Sequence, residues 1–145
     1  MNTIKELQLT MAQQVAKAAS VFQEQRTGLA PGAVTVVLSD QTLVITLHGA
    51  LSLAERELAR SPAGASQVQE FHRQLFASSA ESLRQEIKRI TGVEVREVAA
   101  EVEPASGTIV QVFTTGTMVQ VFLLAKTISV DVWDGSPASP VLMET

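Results

Sequence analysis

The feature that most constrains the fold is a change of hydrophobic period near residue 30. Before it, apolar residues recur every three or four positions, which is the period of an amphipathic helix. These residues are Ile4, Leu7, Met11, Val15, Ala18 and Phe22. After the segment Gly28-Leu-Ala-Pro-Gly32 the period becomes two, which is the period of a strand. The sequence therefore predicts a fold that combines helices with a sheet.

The first helix is predicted to run from a capping box to a glycine. Thr3 and Glu6 have the spacing of a capping box, and Gly28 is a natural left-handed terminator. At 1.5 Å per residue this helix would extend on the order of 36 Å. A helix of that length either lies across the sheet or projects toward a partner.

A hairpin and two more helices are predicted next. Residues 34–38 and 43–47 alternate around the turn Ser39-Asp40-Gln41, and His48 faces away from the apolar side of the second strand. Two further capping boxes are Ser52 with Glu55 and Ser66 with Gln69. They predict a short helix that Pro62 and Gly64 end, and a long amphipathic helix over about 66–91 that Gly92 ends.

The last third of the chain is predicted to be mainly strands. Residues 93–102 and 108–114 form a second hairpin, the sequence of 108–113 is echoed at 117–122, and 127–133 alternates as one more strand. We expect an α+β fold, an antiparallel sheet with long helices on one face, in the order α-β-β-α-α-β-β plus one or two C-terminal strands. One domain is predicted over residues 1–133, with extra strands in 117–133 and a flexible tail at 134–145.

Composition excludes several classes of protein. The chain has no cysteine, so disulfides, thiolate nucleophiles and iron–sulfur clusters are impossible. A net charge of −4 argues against a nucleic-acid surface. No signal-peptide pattern begins the sequence, so a cytoplasmic protein is expected. The uncharged residues 104–125 contain Pro, Gly, Thr and Gln and are mostly β-branched, which favours buried strands over a membrane span.

The residues that could carry chemistry form no catalytic or metal-binding pattern. His48 and His72 have neither a second histidine nor a carboxylate one helical turn away, so we expect surface or half-buried histidines and no metal or cofactor. The carboxylates near the third strand are interpreted as charges that keep a sheet soluble and discourage edge pairing. They are Glu94, Glu97, Glu101 and Glu103. No catalytic residue is predicted.

Two association hypotheses remain. Basic residues of the long helix, Arg73, Arg84 and Lys88, with His72 beside them, are candidates for binding an anion, although alternating charge more often marks a solvated face. Self-association through the first helix or a sheet edge would cover the surplus apolar surface. The candidate interface residues are Ile4, Leu7, Met11, Val15, Phe22, Val119, Val121 and Phe122.

Several short motifs together resemble one known family, the MpsC-like family. They are Gly28-x-x-Pro31, Leu51-Ser52-Leu53-x-Glu55, Phe71-x-Arg73, Ile87-x-x-Ile90-Thr91-Gly92-Val93-x-Val95 and Ile109-Val110-x-Val112-Phe113. The resemblance covers about residues 4–113. It departs from the family at Leu29 and Ala30, where relatives tend to carry a basic residue and a glycine, and in residues 70–74, where relatives tend to carry several arginines.

The resemblance implies an α+β domain associated with a membrane ion-transport system. We therefore expect a non-enzymatic, dimeric accessory module with a membrane transport protein as a partner, no nucleic acid and no transmembrane segment of its own. The alternative is a small-molecule or anion-binding domain with a pocket between the long helix and the sheet, anchored by Arg73 or Arg84.

Overall fold

The computed structural model describes residues 9–114 and 128–134. The elements follow in this order: α1 (Met11–Thr27), β1 (Ala33–Ser39), β2 (Thr42–His48), α2 (Leu53–Leu58), α3 (Pro62–Thr91), β3 (Glu97–Glu103), β4 (Thr108–Thr114) and α4 (Val130–Asp134). The predicted α+β class and the order α-β-β-α-α-β-β are confirmed. The described strands form one antiparallel sheet in the order β1-β2-β4-β3, so β1 and β3 are its edges.

One face of the sheet carries the hydrophobic core. Leu43, Ile45 and Leu47 of β2 are 9%, 0% and 0% exposed, and their partners Phe113, Gln111 and Ile109 in β4 share this face. The helices α1 and α3 pack on it. They contribute the buried residues Val15, Ala19, Val68, Leu83 and Ile87. The period-two pattern of the hairpin therefore sets which side of the sheet the helices cover.

The opposite face has an apolar row across its middle. The register places Val37, Val44, Val112 and Ala99 side by side, from the β1 edge to the β3 edge. Val112 is 4% exposed, whereas Val37 is 53% exposed. Val37 and Ala99 thus occupy equivalent positions at opposite edges of the same face.

The first helix begins later than predicted. Thr10 is its N-cap and has an extended backbone (φ −66°, ψ 163°), so a continuous helix from Thr3 to Gly28 is wrong. Thr10 Oγ1 accepts from the Gln13 N–H, and Gln13 Oε1 accepts from the Thr10 N–H, which is a complete capping box. Gly28 ends the helix in the left-handed conformation, as predicted.

The two middle helices meet through a glycine. The capping box of Ser52 and Glu55 is confirmed, but α3 begins at Pro62 and not near Ser66. Proline fits the first helical position because it has no N–H to lose there. A Cβ at Gly64 would lie 1.8 Å from the Leu58 carbonyl oxygen, so only glycine permits this close approach of the two helices. The prediction that Pro62 and Gly64 end a helix was wrong, because both belong to the next one.

Two strand predictions also need correction. The third strand starts at Glu97 and not at Val93, because residues 93–96 form an irregular connection. The predicted strand over 127–133 is wrong: Val130–Asp134 is a helical turn, and the Ser129 hydroxyl accepts from the Val132 N–H at its start. The predicted strand at 117–122 lies outside the described residues.

Candidate functional site

A cavity of about 460 Å³ lies between α3 and the sheet, at the end where the β1–β2 hairpin turns. Its walls come from five segments: the start of α1, the β1–β2 hairpin, the end of α3, residues 93–95 and the end of β4. Buried Val15, Leu43, Ile87 and Phe113 line its interior. Three exposed apolar residues also line it: Met11 (56%), Leu38 (71%) and Val93 (57%). The volume is within the range of small-molecule sites, which is roughly 300 to 1,000 Å³.

The charged residues that line this cavity in the described part of the chain are both acidic. They are Asp40 and Glu94, and no lysine, arginine or histidine of residues 9–114 and 128–134 lines it. Asp40 lies in the hairpin turn with φ 49°, a left-handed conformation that aspartate tolerates. None of the residues predicted to bind an anion lines this cavity. These residues are Arg73, Arg84, Lys88 and His72.

A second, much smaller cavity of about 20 Å³ lies between α1, α3 and β4, and its walls are partly polar and partly apolar. Gln23 and Gln111 line it, and both are buried at 8% and 5% exposure. The Gln23 Nε2 and Gln111 Oε1 atoms have no hydrogen-bond partner. The space suffices for about one water molecule.

His72 lines the small cavity and is held by a carboxylate. Its Nε2–H donates to Glu55 Oε2 at 2.6 Å, and His72 is only 4% exposed, so the expectation of a surface or half-buried position was wrong for this histidine. Burial of Glu55 opposes its ionisation. The hydrogen bonds from the Ser52 N–H and from His72 outweigh burial and lower the pKa of Glu55. This pair holds α2 against α3.

His48 is exposed, as expected, and forms a hydrogen bond with the Thr35 hydroxyl.

The predicted anion-binding residues of α3 are engaged in other contacts. Arg73 lies 3.5 Å from Glu70 and 3.4 Å from Glu101 of β3. Arg84 donates to the carbonyls of Val95 (2.7 Å) and Arg96 (3.1 Å), which fixes the connection into β3. Lys88 is exposed one turn after Arg84. Arg73 and Arg84 lie eleven positions apart, about 16 Å along the helix, so the structure does not bring them together.

The candidate interface residues of α1 divide between core and surface. Val15 is 2% exposed and belongs to the core, and Phe22 packs against that core. Met11 is 56% exposed. The other five, Ile4, Leu7, Val119, Val121 and Phe122, lie outside the described residues.

The two edges of the described sheet differ in charge. β1 has the sequence AVTVVLS, with no charged residue and no proline, and among the described strands it pairs only with β2. Val37 and Leu38 are 53% and 71% exposed. β3 has the sequence EVAAEVE, and Arg73 of α3 reaches its central Glu101. Of these glutamates, Glu97 and Glu101 are exposed.

Sequence reasoning missed the buried polar residues, although their spacing contained a signal. His72 follows Val68 by four positions on the buried stripe of α3, and Gln23 follows Ala19 by four on that of α1. Gln111 sits inside a strand that is otherwise apolar. A polar residue that continues a buried stripe predicts a buried polar group.

The described residues contain neither a metal-binding cluster nor a membrane-spanning helix. No group of three or more His, Asp or Glu side chains in residues 9–114 and 128–134 is placed to hold a metal ion. Within the same ranges, no helix combines the length and apolar composition that crossing a bilayer requires.

The comparisons with known proteins identify a family. No curated protein and no solved structure matches this chain. The family described as "Na+-translocating membrane potential-generating system (MpsC)" matches residues 8–117, which is most of the chain and includes every described strand. The motifs that carry the resemblance all lie within this matched range, and they include Ser52, the N-cap of α2, and Gly92, the C-cap of α3. The chain therefore belongs to the MpsC family.

Proposed function

We propose that this chain is a non-catalytic, cytoplasmic accessory module of a membrane ion-transport system, and that it works as a homodimer joined through β1. The family description supports the first part, because it names a Na+-translocating system that generates a membrane potential. The uncharged edge of β1 is the observation that carries the second part.

An unprotected edge strand favours pairing with another strand. Soluble proteins usually protect sheet edges with charges, prolines, bulges or very short strands. β1 is seven residues long and contains no charge and no proline, and two of its apolar side chains, Val37 and Leu38, are more than half exposed. No described strand pairs with the outer backbone groups of β1, and these groups together with the two side chains favour adding one more strand.

A second copy of the chain fits this edge. Two β1 strands that run antiparallel about a two-fold axis present the same surface to each other, and such a contact closes at two subunits. The strand is apolar or β-branched at most of its positions, so pairing near its centre brings apolar side chains opposite apolar side chains. The four-stranded sheet becomes a continuous eight-stranded sheet.

The experiment measures Na+-dependent membrane potential in cells that lack this chain. The wild-type protein is expected to restore the potential, Val37→Lys to fail, and Ala99→Lys to succeed. Val37 and Ala99 are the two exposed ends of one row on one face, so the two substitutions place the same charge at opposite edges of the sheet. A potential that is unaffected by loss of the chain would contradict the link to ion transport. Full restoration by Val37→Lys would contradict a role for the β1 edge.

A further inference from the structure

The larger cavity has walls suited to one class of small molecule. Its interior is apolar, with Leu43, Ile87 and Phe113 buried around it, so an apolar body gains free energy by leaving water there. The proposed role of β1 depends on its outer backbone edge, whereas this space lies on the core face of the sheet, where Val36 and Leu38 of β1 line it. The alternative expectation of a pocket between the long helix and the sheet agrees with its position, but the basic anchors expected for that pocket do not line it.

Two carboxylates determine which charged group the cavity accepts. Asp40 and Glu94 line the cavity from two different segments, the hairpin turn and the connection between α3 and β3. In the described part of the chain, neither side chain has a hydrogen bond or an ion pair. Both side chains are therefore available to a ligand, and among the described residues no basic side chain of the lining neutralises them.

The walls are held in place without a ligand. Arg84 fixes the backbone of residues 95 and 96, and the Thr91 hydroxyl donates to the Ile87 carbonyl and accepts from the Val93 N–H. The Asp40 turn joins two strands that are paired along their whole length. A site that is built before binding loses less conformational entropy when the ligand arrives.

We propose that this cavity binds an organic cation: a molecule with an apolar body, which fills the space between α1, α3 and the sheet, and an ammonium-type group, which lies between Asp40 and Glu94. Carboxylates attract such a group and repel an anionic one. Both side chains are exposed, so ionic attraction at the mouth contributes modestly and the apolar contacts supply most of the affinity. An anion of the same shape binds more weakly.

The test uses two probes with one apolar body and opposite charges, 1-naphthylmethylammonium and 1-naphthoate. Isothermal titration calorimetry on the full chain is expected to give saturable binding of the cation, about tenfold tighter than the anion, which corresponds to about 1.4 kcal/mol. The double variant Asp40→Asn/Glu94→Gln is expected to bind both probes equally. Asparagine is chosen because it also tolerates the left-handed conformation of residue 40.

Control variants separate the cavity from general charge effects. Glu24→Gln/Glu97→Gln removes two carboxylates that do not line the cavity and should keep the preference for the cation. Ala12→Trp places a large side chain in the cavity from the exposed start of α1 and should abolish binding of both probes while the protein stays folded. Val37→Lys should bind like the wild type, because Val37 does not line the cavity.

Three results would overturn the proposal. The first is no binding of either probe to the wild type at millimolar concentration. The second is equal or tighter binding of naphthoate, which would assign the cavity to uncharged or anionic ligands. The third is an unchanged preference in Asp40→Asn/Glu94→Gln, which would place the cation elsewhere on the protein.

Discussion

β1 and β3 are both seven residues long and both lie at an edge of the sheet, yet β1 has no charged residue whereas β3 has three glutamates. The β3 edge has the devices that soluble proteins use against unwanted pairing, and Arg73 of α3 also contacts its Glu101. Both edges belong to the same sheet and are covered by the same helical layer. We therefore expect their difference to affect association with another chain more than stability of the fold.

The largest expected effect comes from removing the charges of β3. The variant Glu97→Thr/Glu101→Thr leaves one glutamate, Glu103, at the end of β3. Each copy then has two edges that can pair, so assembly does not stop at the dimer. Glu103 is kept because its Oε1 accepts from the Ala105 N–H in the turn. Light scattering is expected to show a mass that grows with concentration. Glu57→Gln/Glu81→Gln changes the net charge equally and should remain dimeric.

A smaller effect is expected from adding a charge to β1. A lysine at position 37 costs about 1 kcal/mol at each site, and the two-fold axis applies this cost twice. About 2 kcal/mol per dimer lowers the affinity roughly 30-fold. Sedimentation equilibrium should find Val37→Lys mainly monomeric where the wild type and Ala99→Lys are dimeric. Equal dissociation constants for the two lysine variants would contradict the proposal that the dimer forms through β1 and not through β3.

Lowering the pH should reduce the free energy of unfolding by the same amount whichever edge of the sheet carries a lysine. The pKa of Glu55 is lower in the folded chain than its ordinary value of 4.5, so the unfolded chain takes up this proton first as the pH falls. The stabilisation from Glu55 is complete above that ordinary value and is lost below it. Urea unfolding should show this loss equally in Val37→Lys and Ala99→Lys. Glu55→Gln keeps the hydrogen-bonding geometry and should lack this part of the pH dependence; an unchanged acid response in that variant would exclude Glu55 as its source.

The smallest effect is expected at Arg73. Its ion pair with Glu101 spans 3.4 Å between side chains that are 46% and 53% exposed, so solvent screens most of the attraction. Arg73→Met should lower the free energy of unfolding by about 0.5 kcal/mol or less and leave the protein dimeric. Higher oligomers in this variant would mean that Arg73, and not the glutamates, protects the β3 edge.

Periodicity predicted which elements exist and failed mainly at their ends. The stripe containing Val15 and Phe22 predicted a helix, but the true start at Met11 depends on Thr10, whose capping partner is a glutamine. The alternation in residues 127–133 predicted a strand, whereas Ser129 caps a helical turn. Local hydrogen bonds at such positions outweigh a short apolar pattern.

The candidate sites depend on strand order, which no local pattern contains. The cavity joins Met11, Leu38, Glu94 and Phe113, which are far apart in the sequence and meet only because β4 lies between β2 and β3. The sequence favoured Arg73 and Arg84 for binding because they share a helix, although the fold engages both in contacts of their own. The difference between the edges is present in the residues, but the fact that β1 and β3 are edges is not.

Hydrogen exchange of the backbone amides at two protein concentrations tests the central claim most directly. Above the dissociation constant of the dimer, the β1 amides that do not bond to β2 are expected to gain protection, while the outward amides of β3 exchange equally at both concentrations. Protection of β1 that does not depend on concentration would contradict the account. So would protection that appears at the β3 edge instead.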